Sequence, residues 1–151
     1  MRYNHRKMNI GDEIADFTLP GTDGEFRLSA NRGRAVVLFF YPKDDTPGCT
    51  IEGREFTQHL SDFASANAVV LGVSADSISS HQDFRGKFDY AHHLLSDGER
   101  TLHRQFEVGK RSTFLIDGEG KLSREWRDIG EVKGHAFEVL EAVRGLSAAD
   151  S

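Results

Sequence analysis

Two continuous apolar runs constrain this chain more than any other feature. Val36-Val37-Leu38-Phe39-Phe40-Tyr41 and Ala68-Val69-Val70-Leu71-Gly72-Val73-Ser74 show no alternation of polar and apolar residues. A strand of that kind must be covered on both faces, which points to the centre of a sheet flanked by helices. Between the runs, Phe56, Leu60, Phe63 and Ala64 recur at helical spacing and form one apolar stripe. Strand, helix and strand in that order are the building unit of an α/β fold.

The remaining segments extend the pattern. Phe17-Thr18-Leu19 and Phe26-Arg27-Leu28 alternate and flank Pro20-Gly21-Thr22-Asp23-Gly24, which predicts two short strands around a turn. Asn31-Arg32-Gly33-Arg34 forms a second turn. Asp76 or Ser77 is placed to cap a helix reaching about Phe88. Leu94-Leu95-Ser96 reads as a short strand and Thr101 to Phe106 as a short helix. Residues 112–117 and 121–126 form a hairpin across Asp117-Gly118-Glu119-Gly120. The last helix, Gly134 to Leu146, carries Ala136, Phe137, Leu140 and Val143 on one side. The expectation is a single α/β domain over 1–151 with a mixed central sheet between helices, and residues 1–9 as a frayed leader.

Charge and cysteine usage exclude several functions. The net charge of −5 argues against sequence-independent binding to nucleic acid or to an anionic membrane. No stretch approaches the roughly 20 apolar residues of a membrane span. The basic start, Met1 to Met8, has no apolar segment behind it, and a single cysteine cannot form an internal disulfide. A cytoplasmic location is the default expectation.

That one cysteine, Cys49, sits in Thr46-Pro47-Gly48-Cys49-Thr50, directly after the first apolar run. Thr46 suits a helix N-cap and Pro47 the first helical position, where its missing N–H costs nothing. Cys49 then falls in the first turn, where unpaired backbone N–H groups and the positive end of the helix dipole favour thiolate over thiol. A thiolate is the nucleophilic form. The competing reading is a small buried hydrophobe, a common fate of lone cysteines.

The segment Tyr41-Pro42-Lys43-Asp44-Asp45-Thr46-Pro47-Gly48-Cys49-Thr50-Ile51-Glu52 closely resembles the active-site segment of peroxiredoxins, and among them the PrxQ or bacterioferritin comigratory protein group. Val73-Ser74-Ala75-Asp76-Ser77, Leu94-Leu95-Ser96-Asp97 and Arg111-Ser112-Thr113-Phe114-Leu115-Ile116-Asp117 resemble the same group, so the likeness runs over roughly residues 8–146. It implies a thioredoxin-like fold and a thiol-dependent peroxidase. It also implies roles for Cys49 as nucleophile, Thr46 and Arg111 as stabilisers of peroxide and thiolate, and Pro42 as a shield over the sulfur. Read alone, Thr46 is a cap, Arg111 a solvated cation at a strand end, Pro42 a strand terminator and Glu52 a surface helix carboxylate or a partner for an arginine. Physical chemistry supports the sharper roles. Attack on a peroxide moves charge from sulfur to the leaving oxygen, so fixed donors and a permanent cation lower the barrier. The product is a sulfenic acid.

The chain departs from many members of the group in one respect. Where they carry a resolving cysteine five residues after the first, this sequence has Arg54, and residues 77–90 contain none. The resemblance therefore implies a 1-Cys variant without prosthetic cofactor. Its sulfenic acid must meet an external thiol such as thioredoxin, glutaredoxin or glutathione. The segment from Phe106 to Arg111 is also shorter than is usual in the group. The histidines show no metal-ligand spacing: His92 and His93 would point to opposite faces of a strand, and His81 and His103 show no i, i+4 partner suited to zinc. A peroxide sensor with the same fold and a glutathione-type thiol transferase are the alternative functions, and both a monomer and a homodimer fit the sequence.

Overall fold

A computed structural model describes residues 8–150, with side chains through residue 146; residues 1–7 of the expected leader lie outside it. The apolar runs become β3 (Ala35–Phe40) and β4 (Ala68–Ser74), paired in parallel in register Val36↔Val69 to Phe40↔Val73. β5 (His93–Ser96) adds in parallel to β4, β6 (Ser112–Ile116) antiparallel to β3, and β7 (Leu122–Trp126) antiparallel to β6. The strand order is therefore β5-β4-β3-β6-β7, a mixed sheet with the two unpatterned runs at its centre. The alternating pair forms a separate small antiparallel ribbon, β1 (Thr18–Leu19) with β2 (Phe26–Arg27), followed by a short 3₁₀ turn from Leu28.

Alternation along the central strands divides the core in two. Val37, Phe39 and Tyr41 face one way, against Phe56, Phe63, Phe84, Val139, Leu140 and Val143. These come from α1 (Pro47–Gln58), α2 (Leu60–Ser65), α3 (Ile78–Phe88) and α5 (His135–Asp150). Val36, Leu38 and Phe40 face the other way, against Phe26, Leu28, Phe106 and Leu102 of α4 (Thr101–Gln105). Phe39 stacks on Phe56 with ring centroids 4.4 Å apart, joining the central strand to the helix that follows it.

Several expectations are refined. The helical stripe after Cys49 is split at His59 into α1 and α2, and Ala64 is exposed while Phe56 and Phe63 are fully buried. Ser77, not Asp76, caps α3 by accepting from Ser80 N–H at 3.1 Å. Asp76 instead accepts from the backbone N–H of Asp44 at 2.7 Å. Phe137 does not join the buried side of the last helix. It is 50% exposed, and Val139 takes the inward place beside Ala136, Leu140 and Val143. No helix among the described residues is long and apolar enough to cross a membrane.

Phe56 is completely buried against Phe39 and Phe63, so Phe56→Ala removes a ring that no neighbour replaces. We expect a loss of about 3–5 kcal/mol in stability, read from urea denaturation at constant m-value.

Candidate active site

The site sits at the C-terminal end of β3, because three segments end there. Tyr41 and Pro42 continue β3, the loop to Asp45 leads into α1, and β6 runs antiparallel to β3 with Ser112 opposite Phe40. That antiparallel pairing brings Arg111, the residue before β6, to the same end as the first turn of α1. The short Phe106-to-Arg111 segment still reaches it.

Cys49 is only 2% exposed and has no disulfide partner. Its Sγ accepts a hydrogen bond from Arg111 Nη2 at 3.3 Å, while Nη1 of the same guanidinium donates to Glu52 Oε1. Glu52 lies one helical turn after Cys49, so a single arginine bridges two successive positions on one helix face. Gly48 makes the approach possible: a Cβ there would lie 3.1 Å from Arg111 Nη2. Gly53 serves the opposite flank, where a Cβ would meet the Tyr90 ring at 2.7 Å. Tyr90 in turn donates from its hydroxyl to the Thr50 carbonyl at 2.8 Å.

Thr46 occupies the N-cap position, and its carbonyl accepts from Thr50 N–H at 2.8 Å. Its side chain does not cap the helix as the sequence suggests; Oγ1 donates a long bond of 3.3 Å to the Lys43 carbonyl. The helix start therefore leaves the Gly48 and Cys49 N–H groups without a carbonyl one turn back. Pro42 is exposed at the rim, lining a cleft with Tyr41 and Lys110.

Glu52 is the residue that its sequence position alone undervalues. Instead of a surface carboxylate it is 1% exposed, and its Oε2 has no hydrogen-bond partner. Burial pushes its carboxyl up to about 7, against the pull of Arg111. Arg111 is shifted upward; its own burial opposes this, but the Glu52 charge and the Cys49 sulfur outweigh it.

One of the histidines left without a role by its spacing, His81, braces the loop that carries the site. His81 is fully buried; its Nε2 faces the Leu95 carbonyl at 2.9 Å and its Nδ1 faces Asp44 Oδ2 at 2.8 Å. Asp44 also accepts from Tyr41 and Ser80 hydroxyls at 2.6 and 2.7 Å. Burial works against charge on Asp44, yet His81, Tyr41 and Ser80 together hold its carboxyl below the usual range. Asp44, Asp76 and His81 bring ligand-type atoms within 4.8 Å of one another, a grouping that no local spacing announced. Their facing atoms are engaged by protein donors and acceptors, which makes the cluster a staple between the loop and α3. His92 is different: burial pushes it down to about 3, and its neutral ring stacks on Tyr90.

A buried thiol under a guanidinium at a helix start, on a thioredoxin-like α/β scaffold, defines a thiol-dependent peroxidase. The model of the AhpC/TSA family matches residues 10–124, and the chain belongs to that family. Its relatives fall in the peroxiredoxin Bcp/PrxQ group. The chain is 41% identical to peroxiredoxin Bcp of Bacillus subtilis, over 93% of this chain and 98% of that protein. The structure of the Xanthomonas campestris bacterioferritin comigratory protein superposes with a TM-score of 0.83 at 40% identity, covering 87% of this chain and 92% of the other. That of a Xylella fastidiosa PrxQ mutant reaches 0.89 at 37% identity, covering 95% and 99%. Within this group the present chain is a 1-Cys form, with Cys49 alone among its 151 residues.

The Glu52 shift carries a stability signature. Because the folded carboxyl titrates near 7 instead of 4.5, the folded state holds a proton that the unfolded chain releases between those values. Its contribution is fully present below about 4.5 and is lost as pH rises through about 7. Relative to Glu52→Gln, the wild type should lose on the order of 3 kcal/mol across that window. Urea denaturation of both proteins at several pH values checks this.

Proposed function

We propose that Cys49 reduces hydrogen peroxide and organic hydroperoxides in the cytoplasm, and that an external thiol then restores it. The observation that carries this reading is the guanidinium of Arg111 placed 3.3 Å from Cys49 Sγ and anchored from behind by Glu52. A cation held there favours negative charge on sulfur before attack, and its remaining N–H groups are available to a peroxide oxygen. The thiolate attacks one peroxide oxygen and the O–O bond breaks. The second oxygen leaves as hydroxide or alkoxide and takes up a proton, and Cys49 becomes a sulfenic acid.

The other assignments rest on position. The Thr46 hydroxyl spends its proton on a long bond to the Lys43 carbonyl, so a bound peroxide can compete for it. The Gly48 and Cys49 N–H groups offer further donors to the developing charge. Pro42 at the rim removes one backbone donor and limits the access of water to the sulfur. The solved structure of the Xanthomonas campestris relative is described in connection with alkyl peroxide reduction, which supports organic hydroperoxides as substrates here.

Stopped-flow oxidation of Cys49 tests the reading. Wild type should react with peroxide far faster than a free thiol and gain one oxygen in mass. Cys49→Ser should be inert. Arg111→Ala should lose about 10²-fold or more in rate, and Thr46→Val about 10-fold or more, as for other preorganised donors. A wild-type rate equal to that of a free thiol would overturn the assignment.

A further inference from the structure

One cluster of charged side chains plays no part in the chemistry of Cys49. Residues 108–110 and α4 enclose a cleft of about 130 Å³ lined by Arg100, His103 and Lys110, and by none of Cys49, Thr46 or Arg111. Arg100, His103 and Val108 also line a wider cleft of about 400 Å³, which adds Arg104 and Glu107. The two form one groove with a narrow end and a broad end.

The narrow end carries positive charge without a partner. Arg100 and Lys110 are exposed, and neither side chain has a hydrogen bond or ion pair among the described residues. His103 is only 7% exposed, and its ring is fixed from behind. Asp97 accepts from the Leu102 and His103 backbone N–H groups at 3.2 and 2.8 Å, and its Oδ2 lies 2.6 Å from His103 Nδ1. Burial opposes charge on Asp97, but the bonds from His103 and Leu102 hold its carboxyl below the usual range, so Asp97 stays ionised and accepts from Nδ1. The other ring nitrogen, Nε2, has no partner among the described residues, on a side chain that lines the cleft. At the broad end Arg104 donates to the Glu99 carbonyl and keeps its charge, beside Glu107, the one acidic lining group. On a chain of net charge −5, three cations and an unpaired imidazole nitrogen along one groove mark a place for an anion.

We infer that this groove binds a phosphate group, as the free ion or as a monoester. Arg100 and Lys110 hold its oxygens at the narrow end, and His103 Nε2 shares a proton with another. The chemistry of the lining selects this class. A phosphate group carries between about 1.5 and 2 negative charges and three strong acceptor oxygens, which answer an arginine, a lysine and an imidazole together. A carboxylate has one charge and two oxygens. The second ionisation of a phosphate lies near about 6, so the bond to Nε2 forms with the proton on either partner; a carboxylate, ionised at neutral pH, brings no proton. The broad end receives the organic substituent of a monoester, with Arg104 beside it. Binding involves no covalent step and is independent of the chemistry at Cys49.

Calorimetric titration of the full chain tests the site at neutral pH and constant ionic strength, in a buffer free of phosphate. The probes are inorganic phosphate, glycerol 3-phosphate, dimethyl phosphate and acetate. Inorganic phosphate, glycerol 3-phosphate or both should bind saturably with a Kd of about 1 mM or tighter. Dimethyl phosphate and acetate should bind about tenfold or more weakly. Tighter binding of the monoester places a substituent along the broad end, and tighter binding of inorganic phosphate identifies the free ion; either supports the site. Arg100→Gln and Lys110→Gln, both at exposed positions, should each weaken binding about tenfold, and Lys110→Arg should retain it. Arg34→Gln, an equal charge change at the opposite end of β3, should leave it unchanged. In nitrogen spectra of the histidine rings, the His103 signal, assigned by its loss in His103→Gln, should move along the same saturation curve. Absence of saturable phosphate binding overturns the site, as does equal binding of acetate. Equal losses in Arg34→Gln and the two cleft variants, or a His103 signal that stays in place, also overturn it.

Discussion

The guanidinium of Arg111 is the group on which the site depends. It reaches the Cys49 sulfur with one nitrogen and the buried carboxyl of Glu52 with the other, so α1 and β6 are tied together at the reacting atom. A permanently charged, planar donor suits this place better than a flexible ammonium, because two directed bonds fix the orientation of its plane. Glu52 is the other half of the device. Its burial is costly for a charged carboxylate, which is why its proton affinity rises, and the arrangement is maintained because the guanidinium answers one of its oxygens.

Around that pair, the scaffold holds the segment bearing the thiol by packing and by polar staples. Phe56 stacks on Phe39 and fixes the helix axis over the sheet. Tyr90 closes the opposite flank over Gly53. The loop between β3 and α1 is tied to α3 through Asp44, His81 and Ser80, and to Asp76 through its backbone. A buried network whose members are mutually satisfied resists movement, because any opening exposes unpaired polar groups to a low-dielectric interior. The thiol-bearing turn is therefore presented by a rigid rim, while its surroundings on the α4 side remain open and cationic.

Much of the architecture was legible in the chain. Runs of apolar residues without alternation point to central strands, so β3 and β4 were legible from pattern, as was the helical segment between them apart from its break at His59. The Thr-Pro-Gly-Cys turn marked the helix start and the nucleophile, since local chemistry at a helix terminus depends on nearby residues alone. Local reasoning failed where a contact depended on a distant element. Phe137 fits the helical stripe, yet it lies outward because the sheet meets α5 along Ala136, Val139 and Val143. Thr46 has the right type and position for a cap, but its hydroxyl turned to Lys43 instead.

The sequence by itself determined the fold class, the position of the only thiol in the first turn of a helix, and the absence of a second cysteine to resolve it. Those are properties of pattern, local geometry and count. Only the tertiary structure decided that β6 pairs antiparallel with β3, and this places Arg111 beside the sulfur across 62 residues of sequence. It likewise decided that Glu52 is buried and that His81 and His103 meet carboxylates. It also gathered Arg100 and Lys110 along one groove. The physical reason is that long-range electrostatics and burial are set by which elements pack together, and spacing along the chain carries no record of that choice.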